Sequence, residues 1–200
     1  MQHRPWKRLD SEIVVDSAYY RLRKDRVEIP GGEILDDYYV REGPSFAVIF
    51  ALTANERIIL VRQYKYGADR VILELPAGML DDGEAAAAAA ARELEEETGY
   101  SARSLQPVRD YSVGATNSSA IMHLFFAQDA TVRAAQRLDR GEAIEVVLVS
   151  ANELYDLVAR GEIDQIAHVC AVYEMLNRIG YLKHAASGDD QDLSGRRNLR

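Results

Sequence analysis

Seven consecutive alanines, Ala85–Ala91, run into Arg92-Glu93-Leu94-Glu95-Glu96-Glu97-Thr98 and stop at Gly99. Alanine has the highest intrinsic helix propensity and glycine is a common C-terminal stop, so this stretch must be a helix opening near Glu84. Leu94, Ala87 and Ala90 share one side and can face a core, and side chains this small let a helix sit close against a sheet. Glu93, Glu96 and Glu97 fall on a different side, within an arc of roughly 100° at 3.6 residues per turn. A segment with Pro76 and Gly78 leads directly into the helix.

The flanking sequence is β-rich. Residues 11–42 read as antiparallel strands, with Tyr19–Ile29 and Glu33–Val40 on either side of Pro30-Gly31-Gly32. Phe46–Thr53 and Arg57–Gln63 make a second pair across Ala54-Asn55-Glu56, and Val71–Leu75 a further strand. Strand character returns over 104–149, clearest at Ile121–Ala127 and Ala143–Val149. Ser150-Ala151-Asn152-Glu153 matches a capping box opening a helix that ends near Gly161. A last helix is expected from Ile166 to Ile179. This order predicts layered α+β architecture rather than regular βαβ alternation. Three units are expected: a β-rich N-terminal segment over 1–42, a main domain over 43–184, and a polar, disordered tail over 185–200.

Acids outnumber bases 32 to 24 in the 200 residues, a net charge of −8. That balance argues against nucleic acid and against a membrane surface as partners, because both require Lys and Arg to neutralise phosphate. Cys170 is the only cysteine, which excludes an intrachain disulfide and a zinc knuckle. The first eight residues lack the apolar core of a secretory signal, and the longest apolar run, Phe46–Leu52, is far below the ~20 residues of a membrane span. A cytoplasmic protein is expected. The four histidines have no ligand spacing and receive no role.

The three clustered glutamates have two readings. As a solvated acidic face they are unremarkable, although the (i, i+4) pair Glu93 and Glu97 costs a few tenths of a kcal/mol. As a metal site they are well suited, because a hard divalent cation prefers carboxylate oxygens and shares its shell with substrate phosphates. Arg92, four residues before Glu96, relieves the repulsion only in part.

Gly78, Glu84, Arg92, Glu93, Leu94, Glu96, Glu97 and Gly99 lie at the spacing G-x5-E-x7-R-E-U-x-E-E-x-G-U, where U is bulky and apolar and Tyr100 fills the last place. This string resembles the Nudix box. Arg57–Lys65, Glu74-Leu75-Pro76-Ala77-Gly78 and Gly141–Val146 are similar to the branch that cleaves ADP-ribose and nucleotide sugars. The resemblance implies an α/β/α sandwich around a mixed sheet, Mg2+ as cofactor with Mn2+ as a substitute, and hydrolysis of a nucleoside diphosphate linked to another group. It implies metal binding by Glu93, Glu96, Glu97 and the Ala77 carbonyl, with Arg92 orienting the glutamates and Glu84 supporting. Glu142, on a loop after the box, is the candidate base, with Glu145 as a weaker alternative. A homodimer is also implied.

For substrate contacts, Tyr38 and Tyr39 are candidates to stack on the base, and Arg41, Arg62 and Lys65 to meet ligand or phosphate. Each has a plain alternative: one tyrosine facing a core and the other water, or Arg62 pairing along a strand. Two positions depart from the branch: Val113 stands where proline is common, and Lys65 where arginine is favoured, giving charge without a bidentate fork. The expected reaction is cleavage of ADP-ribose to AMP and ribose 5-phosphate. Alternatives are the same chemistry on a nucleoside diphosphate hexose such as GDP-mannose or an ADP/UDP-sugar, and a non-catalytic nucleotide-sensing module.

Overall fold

The computed structural model describes residues 4–17 and 20–182; the expected tail over 185–200 lies outside the described residues. The strands Lys7–Asp16 (β1), Arg21–Glu28 (β2) and Ile34–Glu42 (β3) form an antiparallel sheet in the order β1-β2-β3. Its polar interior is unusual. Arg23 donates to Asp25 at 2.8 Å and to Glu42, and the Ser11 hydroxyl donates to Asp25 at 2.7 Å. Burial pushes the Asp25 carboxyl up, but the hydrogen bonds from Arg23 and Ser11 outweigh it and hold the group below its ordinary value.

The second sheet is mixed and carries the rest of the chain. Phe46–Thr53 (β4) runs parallel to Ile121–Val132 (β10), which pairs antiparallel with Ser104–Ser112 (β9) and, at its far end, with Tyr100–Ser101 (β8). Ile58–Lys65 (β5) lies between Arg70–Glu74 (β6) and Glu145–Val149 (β11). β4 and β5 are registered only at Leu52 and Ile58 and then part. Beyond that point β5 pairs with β6, while β4 pairs with Ala77–Met79 (β7). Residues 77–79, in the segment that leads into the alanine-rich helix, thus form a short strand.

Strand alternation divides the core into two layers. Val48, Phe50, Ile58 and Leu60 pack with Leu154 and Val158 of α2 (Ala151–Ala159) and Val172, Met175 and Leu176 of α3 (Ile166–Arg178). Ala47, Ile49, Ala51 and Ile59 pack on the opposite face with Ala89, Ala90 and Leu94 of α1 (Ala86–Thr98). The result is the α/β/α sandwich around a mixed sheet that the resemblance implies. Ser150 and Glu153 form the expected capping box at the start of α2.

The helix α1 corrects one sequence expectation. Ala89 and Ala90 are buried, but Ala87 is exposed, and Glu97 is itself buried. Glu97 is seven residues after Ala90 and three after Leu94, close to whole turns, so it continues the core stripe instead of standing on a separate face. The buried residues of α1 run from Ala89 to Thr98, so Ala87, in the first turn, stands ahead of the packed stretch and is exposed. Gly99, with φ +74, closes the helix in the left-handed conformation. Alanines on α1 meet Ala47, Ala51, Ala127 and Ala130 on the sheet, a contact with no room for longer side chains. Ala90→Leu is therefore expected to destabilise the fold by about 1–3 kcal/mol through overpacking, and Ala87→Leu to stay within about 0.5 kcal/mol, measured by urea unfolding.

Candidate active site

Backbone and helix meet where β7 passes under α1. The Ala77 N–H donates to Glu97 Oε2 at 2.9 Å, and the Gln63 amide lies 3.5 Å from Oε1. Gly78 faces Glu93 so closely that a Cβ at this position would overlap the Glu93 carboxylate. Because the overlapping atoms are the end of a side chain, any other residue at 78 would push the Glu93 carboxylate out of its place against β7.

Arg92 organises the exposed end of the cluster. Its guanidinium donates twice to Glu84, at 3.0 and 2.9 Å, once to Glu93 at 2.7 Å, once to Glu96 at 3.2 Å and once to the Met79 carbonyl at 2.9 Å. One side chain thereby joins the segment before the helix, the strand β7 and two turns of α1. The Arg92 fork, with help from the Asp81 N–H, lowers the Glu84 carboxyl to about 2, so Glu84 is a permanent anion suited to anchoring.

The deeper acids behave in the opposite way. Burial pushes Glu97 up to about 8; the Ala77 N–H and Lys65 oppose the rise, while the charges of Glu93 and Glu74 add to it. Burial likewise raises Glu93 against the pull of Arg92, with Glu96 and Glu142 contributing further repulsion. Closely set carboxylates that resist ionisation are the donor set a hard divalent cation compensates. Among the described residues, no group of three or more acidic, histidine or cysteine side chains is placed to hold a metal ion by itself. A cation here would instead take Glu93 and Glu97, with Glu96 after release from Arg92, the Ala77 carbonyl, and oxygens from water or a phosphate. That composition suits a metal shared with a phosphorylated ligand.

The other sequence candidates separate clearly. Arg41 and Lys65 line a cleft of roughly 380 Å³ together with Glu74, Ala77, Gly78, Val113 and His168. The Tyr38 hydroxyl donates to the Thr116 carbonyl, and its ring meets Trp6 edge-on at 5.3 Å. Arg41 extends this clasp through its backbone, its N–H donating to the Asn117 carbonyl at 2.8 Å and its carbonyl accepting from Ser119. Tyr39 is exposed and does not line the cleft. Arg62 follows the second of its two readings, pairing along the strand: it points to the α2 side of the sheet, alternate to Gln63 and Lys65, and donates to Glu145 at 2.9 Å. Neither Arg62 nor Glu145 reaches the carboxylate cluster within one chain.

Glu142 stands on the correct side, near enough for its charge to repel Glu93. Its carboxylate accepts from the Asp139 N–H at 3.0 Å. The loop that carries it is tied to the helix by Gln136, which donates to the Glu97 carbonyl at 2.6 Å and to the Ile144 carbonyl at 3.1 Å. Sequence reading missed Gln136, Gln63, Glu74 and His168. No motif marks Gln136 or His168, and Gln63 and Glu74 stand only inside strings that match the branch.

A family model for the NUDIX domain matches residues 41–169, which is more than half of the chain. The chain belongs to the Nudix hydrolase family. A model for the nucleoside diphosphate sugar hydrolase N-terminal domain matches residues 6–40. An ADP-ribose pyrophosphatase of Bacillus subtilis is 32% identical over 78% of this chain and 85% of its own length. A methanol dehydrogenase activator of Bacillus methanolicus is 30% identical over 89% of this chain and 96% of its own. A crystal structure of an ADP compounds hydrolase superposes with a TM-score of 0.78 at 23% identity, covering 90% of this chain and 99% of that one, and so shares the fold. Within this Nudix hydrolase, the family box spans the turn before α1, the helix and its glycine stop.

The raised carboxyl of Glu97 sets a pH dependence in the metal-free protein. A buried acid titrating above its unfolded value of about 4.5 stabilises the fold fully below that value and loses the contribution as pH rises through about 8. Glu97→Gln cannot ionise. Without divalent cations it is expected to melt on the order of 5 °C above wild type at pH 9, with the difference vanishing near pH 4, followed by circular dichroism.

Proposed function

We propose that this Nudix hydrolase cleaves the pyrophosphate bond of ADP-ribose, giving AMP and ribose 5-phosphate. The observation that carries the reading is one cleft lined both by cationic side chains and by the strand that leads into the box. Arg41 and Lys65 supply positive charge, while Ala77 and Gly78 lead directly to the carboxylates of Glu93 and Glu97. A diphosphate fits between them, bound by cationic side chains on one side and through a metal on the other. The names of the Bacillus subtilis relative and of the N-terminal family model support a nucleotide sugar.

The metal is taken as Mg2+, with Mn2+ as a substitute; when bound, it neutralises phosphate charge and lowers the pKa of the attacking water. The chain's own residues do the rest. Lys65 and Arg41 hold the anionic ligand, and Arg92 keeps Glu93 and Glu96 aligned on α1. Glu142, on a loop anchored by Gln136, accepts a proton from water. Tyr38 acts in this proposal as a clasp on the 114–118 loop and not as a stacking platform, because its hydroxyl and ring are both engaged.

A hexose in place of ribose has one specific observation in its favour. Val113 lines the cleft where proline is common in the ADP-ribose branch, and Lys65 makes a single-point contact. Initial rates on a nucleotide-sugar panel decide between them. ADP-ribose is expected among the best substrates, and a rank among the poorest overturns the first choice. Glu97→Gln should lower kcat by at least about a hundredfold in a folded protein, as expected when a group that stabilises developing charge is lost; retained activity removes Glu97 from the metal site.

The same proposal takes the enzyme as a cytoplasmic homodimer. The β1 strand is exposed along its whole length and presents Leu9, Ile13, Val14 and Val15, while the first sheet buries only Asp25 and Val27. Three strands with so little core gain stability by covering a second copy. Light scattering at micromolar concentration is expected to give twice the chain mass, and a monomer would overturn the assembly.

A further inference from the structure

Four polar side chains outside the box helix's exposed face are buried in a row. His168 is 2% exposed, Glu74 3%, Gln63 6% and Glu97 4%. The Leu75 N–H donates to His168 Nδ1 at 3.2 Å, which leaves the imidazole proton on Nε2, 3.3 Å from Glu74 Oε2. Glu74 Oε1 accepts from the Gln63 amide at 2.9 Å and lies 3.0 Å from Lys65 Nζ. The same Gln63 nitrogen is 3.5 Å from Glu97 Oε1. Its two hydrogens can therefore serve two carboxylates, one from each side.

The course of this chain of contacts is informative. His168 is on α3 and Glu97 on α1, on opposite faces of the sheet. The row crosses where β4 and β5 have parted, β4 pairing with β7 and β5 with β6. Packing does not call for polar groups in such a place, since apolar residues of similar volume are often neutral or better. Burial keeps His168 neutral, down to about 3, so it acts as an N–H donor and not as a cation. Lys65, Glu74 and His168 line the cleft, and Glu97 is buried behind Ala77, which also lines it.

We propose that His168 and Glu74 are positioning residues that fix Lys65 in the cleft and, through Gln63, Glu97 behind Ala77. This rests on the nucleotide-sugar reading above. Glu74 holds the Lys65 ammonium by one oxygen and is itself aimed by the His168 Nε2–H on the other. Loss of that aim leaves the cation mobile and lets the Gln63 amide drift from Glu97. Helix α3, remote from the box, thereby sets the geometry of the reacting groups.

Two substitutions separate this role from simple packing. Gln places an amide N–H₂ near the Nε2 position and keeps the donor to Glu74; Asn places its amide oxygen near Nδ1 and keeps only the acceptor for Leu75. His168→Asn is expected to lower kcat/KM for ADP-ribose by about tenfold or more, while His168→Gln loses less than about threefold. Equal losses in both, following their melting temperatures, would overturn the proposal. Nuclear magnetic resonance of the protein carrying ¹⁵N-histidine reads the relay without substrate. Wild type should show a slowly exchanging, neutral Nε2–H signal that disappears in His168→Asn and shifts in Glu74→Gln. A neutral Nδ1–H form, or a signal indifferent to Glu74→Gln, would overturn it as well. A wild type that hydrolyses no nucleotide sugar yet gives the expected signals removes the substrate assignment and upholds the relay.

Discussion

The burial of one carboxylate, Glu97, constrains most of this molecule. It lies on the same stripe of α1 as Ala90 and Leu94, so the helix cannot seat its alanines on the sheet without carrying an acid inward. A buried acid must be hydrogen-bonded, and the Ala77 N–H and Gln63 amide meet that need. Both partners are available only because β4 and β5 separate, which gives β7 its place beside β4 and exposes the end of β5 to α1.

Arg92 complements this from the solvent side. With hydrogen bonds to three glutamates and a carbonyl, it makes the turn before α1, β7 and the helix a single unit. The two ends of the acidic cluster then differ in character. Glu84 is fixed as an anion, whereas Glu93 and Glu97 are held above their ordinary values by burial, with added repulsion from Glu96 and Glu142 at Glu93 and from Glu93 and Glu74 at Glu97. The net charge of −8 says little about partners for this reason: part of the acid excess is a cluster on α1 whose repulsion a cation would relieve, and a ligand bound through a cation can itself be an anion. The N-terminal sheet follows the same logic, with an Arg23–Asp25–Glu42 network where an apolar core would be expected.

Local signals decided what could be read in advance. The alanine run, the Gly99 stop and the Ser150–Glu153 box each act within a few residues, and the helices formed where they point. Period-two strands were legible for β4 and β10, whose apolar runs are long. The strand β7 was not, because three residues carry no periodicity and pair only when β4 is already alongside. The same holds for side chains: the box glutamates stand at helical spacing, while Arg62 and Lys65, three apart on one strand, were indistinguishable until the sheet gave them opposite faces.

What the sequence determined by itself, then, is the box, its helix and the acids upon it, since all of these follow from spacing along one segment. The tertiary structure decided which acids are buried, which cations reach the cleft, and that Gln63, Glu74 and His168 form a row behind it. Those residues lie on β5, β6 and α3, separated by up to about a hundred positions, and only the parting of two strands brings them into contact.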